Sequence, residues 1–164
     1  MIQRQSLELA LPGASIGAGA GAIAGGLTLL AGQPAGLAAQ SALTLAVPLA
    51  LFGGLYGILL GRGIFRPGTF GPVGLYWMAG FPLSRLVQES LTGVGLADGV
   101  LPFLAYQLMV SLGFAIGFLW LHERMMPHWL LRHAEGNPRA EALLGLYIRQ
   151  AQASQPRSGK GARR

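Results

Sequence analysis

The chain has 164 residues, of which 52% are hydrophobic and only 11% charged, with a net charge of +6 and no cysteine. This is room for one domain, but it supplies less than half of the roughly 25% charged residues a soluble domain carries. The lack of cysteine excludes disulfides, thiol catalysis and cysteine metal sites.

Mean hydropathy is +0.48, and no Asp, Glu, Lys, Arg or His occurs between Glu8 and Arg62. Lipid can accommodate such a surface and water cannot, so the composition predicts an all-α integral membrane protein. About 20 apolar residues at 1.5 Å rise cross a hydrocarbon core roughly 30 Å thick. The first span is expected over residues 13–31. The polar connection "GQPAGLAAQ" follows it, and the second span covers 41–61, ending at "GRGIFRPG". The small residues of "AGLAAQSA" resemble a signal-peptidase site. The run before them is too long and too glycine-rich for the 7–15-residue apolar core of a signal peptide, so the first span is expected to be retained.

The third segment, 69–90, is apolar only as far as Leu83, with Pro72 and Pro82 inside it and Arg85 and Glu89 near its end. It reads as a kinked span or as a re-entrant hairpin. The fourth span covers 100–121. Charge decides between the two readings. Four spans place Arg4, Arg62, Arg66 and the basic C-terminal region on one side, and the opposite loops, "GQPAGLAAQ" and "TGVGLADG", hold no Lys or Arg. Basic loops stay cytoplasmic, so the expectation is a four-helix transmembrane bundle with both termini inside, in a bacterial inner membrane or its equivalent.

From residue 122 onward, eight basic residues (Arg124, Arg132, Arg139, Arg149, Arg157, Lys160, Arg163, Arg164) face three acidic ones, Glu123, Glu135 and Glu141. Beside apolar spans this predicts contact with anionic lipid rather than with nucleic acid. Pro127 should break or kink the chain and "GNP" at 136–138 marks a turn. Residues 122–152 form an interfacial helical segment in which Ala142, Leu143, Leu146 and Tyr147 make the apolar stripe of a short amphipathic helix. Residues 153–164 read as a disordered basic tail, with Arg157, Lys160, Arg163 and Arg164 touching lipid.

The stretch "GASIGAGAGAIAGG" admits several chemistries. "GASIG" matches the nucleophile elbow around Ser15, but that motif needs a preceding strand and later Asp and His partners. Gly19, Gly21 and Ala24 match a relaxed dinucleotide fingerprint, yet no acidic residue follows until Glu89. A Walker loop fails because the only lysine is Lys160. What remains is spacing. Gly13, Gly17, Gly21 and Gly25 share one helix face, as do Gly53, Gly57 and Gly61 in the second span and Gly113 and Gly117 in the fourth. Such faces let backbones approach closely, and are expected to serve as helix-packing interfaces within the bundle or toward another protein or a second copy.

Arg85, Gln88 and Glu89, with Tyr106 and Gln107 at similar depth, form the candidate polar pocket. Thr28, Ser41, Thr44 and Ser111 lie nearby, and a lipid or quinone head group or a small solute would suit it. The competing reading is that Arg85 reaches to lipid phosphate. The inner halves of the spans read as almost wholly apolar. Trp120 and Trp129 read as interfacial anchors. His122, Glu123, His128 and His133 raise a metal site, but "HERMM" misses H-E-x-x-H and the His128–His133 gap spoils ligation from one face, so no metal and no cofactor is expected.

The leading expectation is a non-catalytic accessory or scaffold subunit of a larger membrane complex. The alternative is a small transporter or oligomeric pore, including a holin-like lesion former, with its polar site at Arg85 and Glu89. An enzyme acting on lipid would have only Glu89, or Glu123 with His122, to work with.

Overall fold

The structure is a computed structural model, and describes residues 2–93 and 99–154. Five helices follow one another: α1 (Ile2–Leu30), α2 (Ala35–Gly61), α3 (Phe70–Thr92), α4 (Val100–His133) and α5 (Pro138–Ser154). No strand occurs among the described residues. Three helices are long and apolar enough to cross a membrane, over Arg4–Leu30, Ala35–Gly61 and Val100–His133. The 23 residues of α3 give it the length, but its prolines, glycines, Arg85 and Glu89 keep its hydropathy below that of the other three. Arg157, Lys160, Arg163 and Arg164, and most of the connection before α4, lie outside the described residues.

The helices extend beyond the apolar runs that suggested them. α1 begins at Ile2, so the polar leader is helical too, and α2 begins at Ala35. Pro127 does not break α4, which runs through it to His133. An interior proline costs a helix about 3 kcal/mol, but Met126 and Leu130 on either side of it are fully buried, and that packing holds the helix together. Where the helices do stop, glycine stops them. At the end of α1, Gly32 adopts φ +76°, its N–H reaching Leu29 O at 2.9 Å while Gln33 N–H reaches Thr28 O at 3.2 Å. Gly63 repeats this closure after α2, with φ +74°, using Leu60 and Leu59 as acceptors. The left-handed residue satisfies last-turn carbonyls that would otherwise have no donor.

The helices pair as α1 with α2 and α3 with α4, with α2 also packed on α3. In the α1–α2 pair the two backbones touch. Gly13 and Gly53 face each other, so a Cβ on either would collide with the other's carbonyl. Gly17 lies on the Leu49–Ala50 peptide, Gly21 on Ala46, Gly25 on Ala38 and Ala42, Gly57 on the Leu9 carbonyl and Gly61 on the Leu9 side chain. Contact this close collects dispersion energy where lipid supplies no hydrophobic drive. Gly113 and Gly117 differ, because among the described residues no atom outside their own stretch of helix lies within 4 Å of where their Cβ would be. They pack no helix of their own bundle.

An aromatic core joins α2, α3 and α4. Trp77 stands 4.7 Å from Phe114 and 4.6 Å from Phe118 between ring centroids, Tyr56 meets Phe118 edge-on at 5.3 Å, and Tyr76 donates to the Phe52 carbonyl at 2.6 Å. α5 closes one end of the bundle against α4, α1 and α2. Asn137 caps it, accepting from the Arg139 and Ala140 amides at 3.2 Å each, and ties it to α1 by donating to Gln5 O at 3.0 Å and Glu8 Oε2 at 2.9 Å. The buried stripe of α5 is Ala140, Leu143 and Tyr147, whereas Ala142 is exposed. It is turned from the expected stripe because its long-range partners at the bundle end, and not its own hydropathy, set its rotation.

Candidate polar cavity and a buried histidine

Ser84, Gln88 and Glu89 of α3 are buried in the bundle, while Ser90 is exposed. Helical spacing puts Arg85, Gln88 and Glu89 on one face, and there Arg85 Nη2 meets Glu89 Oε1 at 2.6 Å while Arg85 Nη1 donates to Gln88 Oε1. Gln88 in turn donates to the Ser41 carbonyl of α2 at 3.2 Å, and Gln40 of α2 donates to the Leu91 carbonyl at 3.0 Å. Arg85, Gln88 and Glu89 line a cavity of about 300 Å³ together with Thr28, Gln33, Leu37, Ser41 and Thr92. Thr28 bonds the Ala24 carbonyl of its own helix, as Ser84 bonds that of Gly80. Glu89 is buried and its Oε2 makes no hydrogen bond among the described residues. The cavity therefore offers a guanidinium, amides and hydroxyls, a set able to hold a small polar group by hydrogen bonds, while Glu89 Oε2 is sealed from solvent beside it.

Tyr106 and Gln107 do not line this cavity. Tyr106 is exposed on the outside of the bundle and Gln107 is buried. Ser111 is buried as well and bonds the Leu108 carbonyl at 2.6 Å.

At the other end of the bundle the structure corrects the expectation of an apolar interior. His122 belongs to the buried stripe Ala115, Phe118, His122, Met126 and Leu130, and is fully buried rather than interfacial. Its ring lies edge-on to Tyr56 at 4.8 Å and stacks on Phe118 at 5.6 Å. Neither of its nitrogens, nor Tyr56 Oη, nor Trp77 Nε1, makes a hydrogen bond among the described residues. Beside this cluster Tyr147 of α5 donates to Glu123 at 3.1 Å. Burial holds the Tyr147 hydroxyl above its ordinary range, and the nearby Glu123 and Tyr56 add to the effect. The sequence did hold a signal for His122, since its distances of four from Phe118 and Met126 place it on the buried face.

The other histidines act locally. His128 Nδ1 lies 2.8 Å from Arg124 O and His133 Nδ1 lies 2.8 Å from Trp129 O, with the His133 ring stacked on Trp129 at 3.9 Å. Among the described residues no three His, Asp or Glu side chains gather closely enough to hold a metal ion. Comparison with known protein families, curated proteins and solved structures finds no match to this chain.

Proposed function

We propose that this chain is a multi-pass membrane protein of four spans and a non-catalytic accessory or scaffold subunit of a larger membrane complex. Both termini lie on the cytoplasmic side of a bacterial inner membrane or its equivalent, and α5 lies at that interface with the basic tail beyond it. The pattern of α3 supports the fourth span: Arg85, Gln88 and Glu89 turn inward, while large apolar residues, Leu75, Leu83, Val87 and Leu91, are exposed and the exposed Ser90 bonds the Leu86 carbonyl of its own helix. A reporter fused after Ser154 and found outside the cell would overturn this topology.

The observation that carries the accessory role is Gly113. A glycine in a helix interior costs about 1 kcal/mol relative to alanine, yet among the described residues no atom beyond its own stretch of helix lies within 4 Å of where a Cβ on this one would be. It forms a notch in an exposed apolar strip between Met109 (76% exposed), Ile116 (59%) and Trp120 (57%). A helix of another subunit packing into that notch would account for the glycine. The experiment is purification of the tagged chain in mild detergent with native mass measurement and subunit identification. The reading expects different subunits in fixed ratio, lost on Gly113→Leu. A lone monomer, a homo-oligomer, or a complex indifferent to Gly113→Leu would refute it.

The second reading, a small transporter or oligomeric pore that includes a holin-like lesion former, is favoured by the polar cavity lined by Arg85, Gln88 and Glu89. In that reading the cavity takes a polar solute or the head group of a lipid or quinone. Solute flux from vesicles holding this chain alone, abolished by Glu89→Gln, would bring it forward.

A further inference from the structure

α1 has a second face beside the one that α2 covers. Ile16, Gly19 and Ile23 look across at Phe114, Gly117 and Met125 of α4, and the two helices leave an open groove of about 460 Å³ between them. Gly19 and Gly117 have no neighbour within 4 Å of where a Cβ would be, so the absence of two side chains deepens the groove. From Phe114 to Met125 it runs about 16 Å at 1.5 Å per residue, close to the roughly 15 Å depth of one leaflet's hydrocarbon.

The groove does not end blindly. Met125 is shared with a second cavity of about 400 Å³, lined also by Pro12, Arg124, His128, Trp129 and Arg132. Arg124, His128 and Arg132 recur every four residues and so stand above one another on α4. No carboxylate lies within ion-pair distance of Arg124 or Arg132 among the described residues, and the Arg124 guanidinium rests 4.0 Å over the Trp120 ring. An apolar trough one leaflet deep opens onto a basic, aromatic mouth without a counter-charge. Any lipid chain could fill the trough, and the mouth selects the charge of the head group.

We propose that the α1–α4 groove is a site for one anionic phospholipid, its acyl chain lying along Gly19 and Gly117 and its phosphate held by Arg124 and Arg132 beside His128. Basic residues at a membrane surface each favour anionic lipid by about fivefold in association, so two give a preference on the order of twentyfold.

The test reconstitutes the full chain in phosphatidylcholine vesicles that hold a minor fraction of either chain-brominated phosphatidylglycerol or chain-brominated phosphatidylcholine. Quenching of tryptophan fluorescence is then compared. Trp129 lines the mouth and reports the site, while general lipid contact cancels between the two preparations. The proposal expects stronger quenching by the anionic lipid at equal fraction, about fivefold weaker association in Arg124→Gln or Arg132→Gln, and in the double variant only the residual preference that the chain's other basic residues give. Both side chains are exposed, so these variants keep the fold. Gly117→Leu, whose Cβ has open space and whose side chain extends into the trough, should abolish the preference with both arginines present. Equal quenching by the two lipids in the wild type, or a preference undiminished in the double variant, would overturn the proposal. So would a preference that survives Gly117→Leu, since a bare anion-attracting surface would then suffice.

Discussion

Replacing Gly17 with alanine sets two local effects against each other, and the structure says which one wins. Alanine improves helix propensity by about 1 kcal/mol. Its Cβ, however, would stand 2.6 Å from the Ala50 nitrogen and closer still to the Leu49 carbonyl, where ordinary contact begins at 3.4 Å. Both obstacles are backbone, so no rotamer relieves the clash. Clearing the Ala50 nitrogen alone parts the helices by about 0.8 Å and the nearer Leu49 carbonyl demands more, enough to forfeit about half of each dispersion contact along the seam. Overpacking of this kind costs about 3 kcal/mol, so Gly17→Ala should destabilise the α1–α2 pair by a net of about 2 kcal/mol. Gly19, two residues on, meets nothing, and Gly19→Ala should stabilise by about 1 kcal/mol. The gap between the two variants, about 3 kcal/mol, is roughly a hundredfold in the folding equilibrium, and intrinsic propensity cancels from it. Reversible unfolding of both proteins in mixed detergent micelles measures the gap. Equal stabilities, or a Gly17→Ala protein more stable than the wild type, would refute a backbone contact between α1 and α2.

Asn137→Ala removes the α5 cap and two bonds to α1, which at about 1 kcal/mol for a cap and about 1 for each hydrogen bond should weaken α5 docking by about 2–3 kcal/mol. Hydrogen exchange of the α5 amides would rise accordingly, and unchanged protection would contradict the clamp. Arg85→Ala leaves the Glu89 carboxylate buried without its ion pair, an expected cost of about 3 kcal/mol, at the low end for such a pair because the Arg85 side chain is 24% exposed. The double variant Arg85→Met with Glu89→Leu should unfold closer to the wild type, and a single variant no worse than the double would show that the pair is not buried. The Tyr147 hydroxyl is raised above its ordinary value of 10.0 when α5 is docked, by burial first and then by Glu123 and Tyr56. Docking is thus fully favoured below about pH 10 and weakens as pH rises above it, because the undocked tyrosine ionises more readily. Proteolysis at Arg149 followed from pH 8 to 11 should show this loosening, and the same loosening in Tyr147→Phe would assign it to another group.

Composition and period carried the sequence reading as far as helices that suit lipid. The charge-free stretch between Glu8 and Arg62 can lie nowhere else, and "GNP" announced the turn that Gly136 and Asn137 make. A period of 3.6 residues also says that Gly13, Gly17, Gly21 and Gly25 share a face. Period cannot say what lies opposite, because a helix's own residues do not encode its neighbour. Only tertiary packing set those glycines against α2 while leaving Gly19, Gly113 and Gly117 open, although all seven look alike in the sequence. The same limit hid His122, whose polarity suggested an interface until the rings of Tyr56 and Phe118 closed over it. It also separated Tyr106 and Gln107 from Arg85, since equal depth in a membrane does not mean the same side of a helix. Hydropathy determines that these segments leave water. Which faces then meet depends on contacts between residues far apart in the chain, formed only once the backbones have come together.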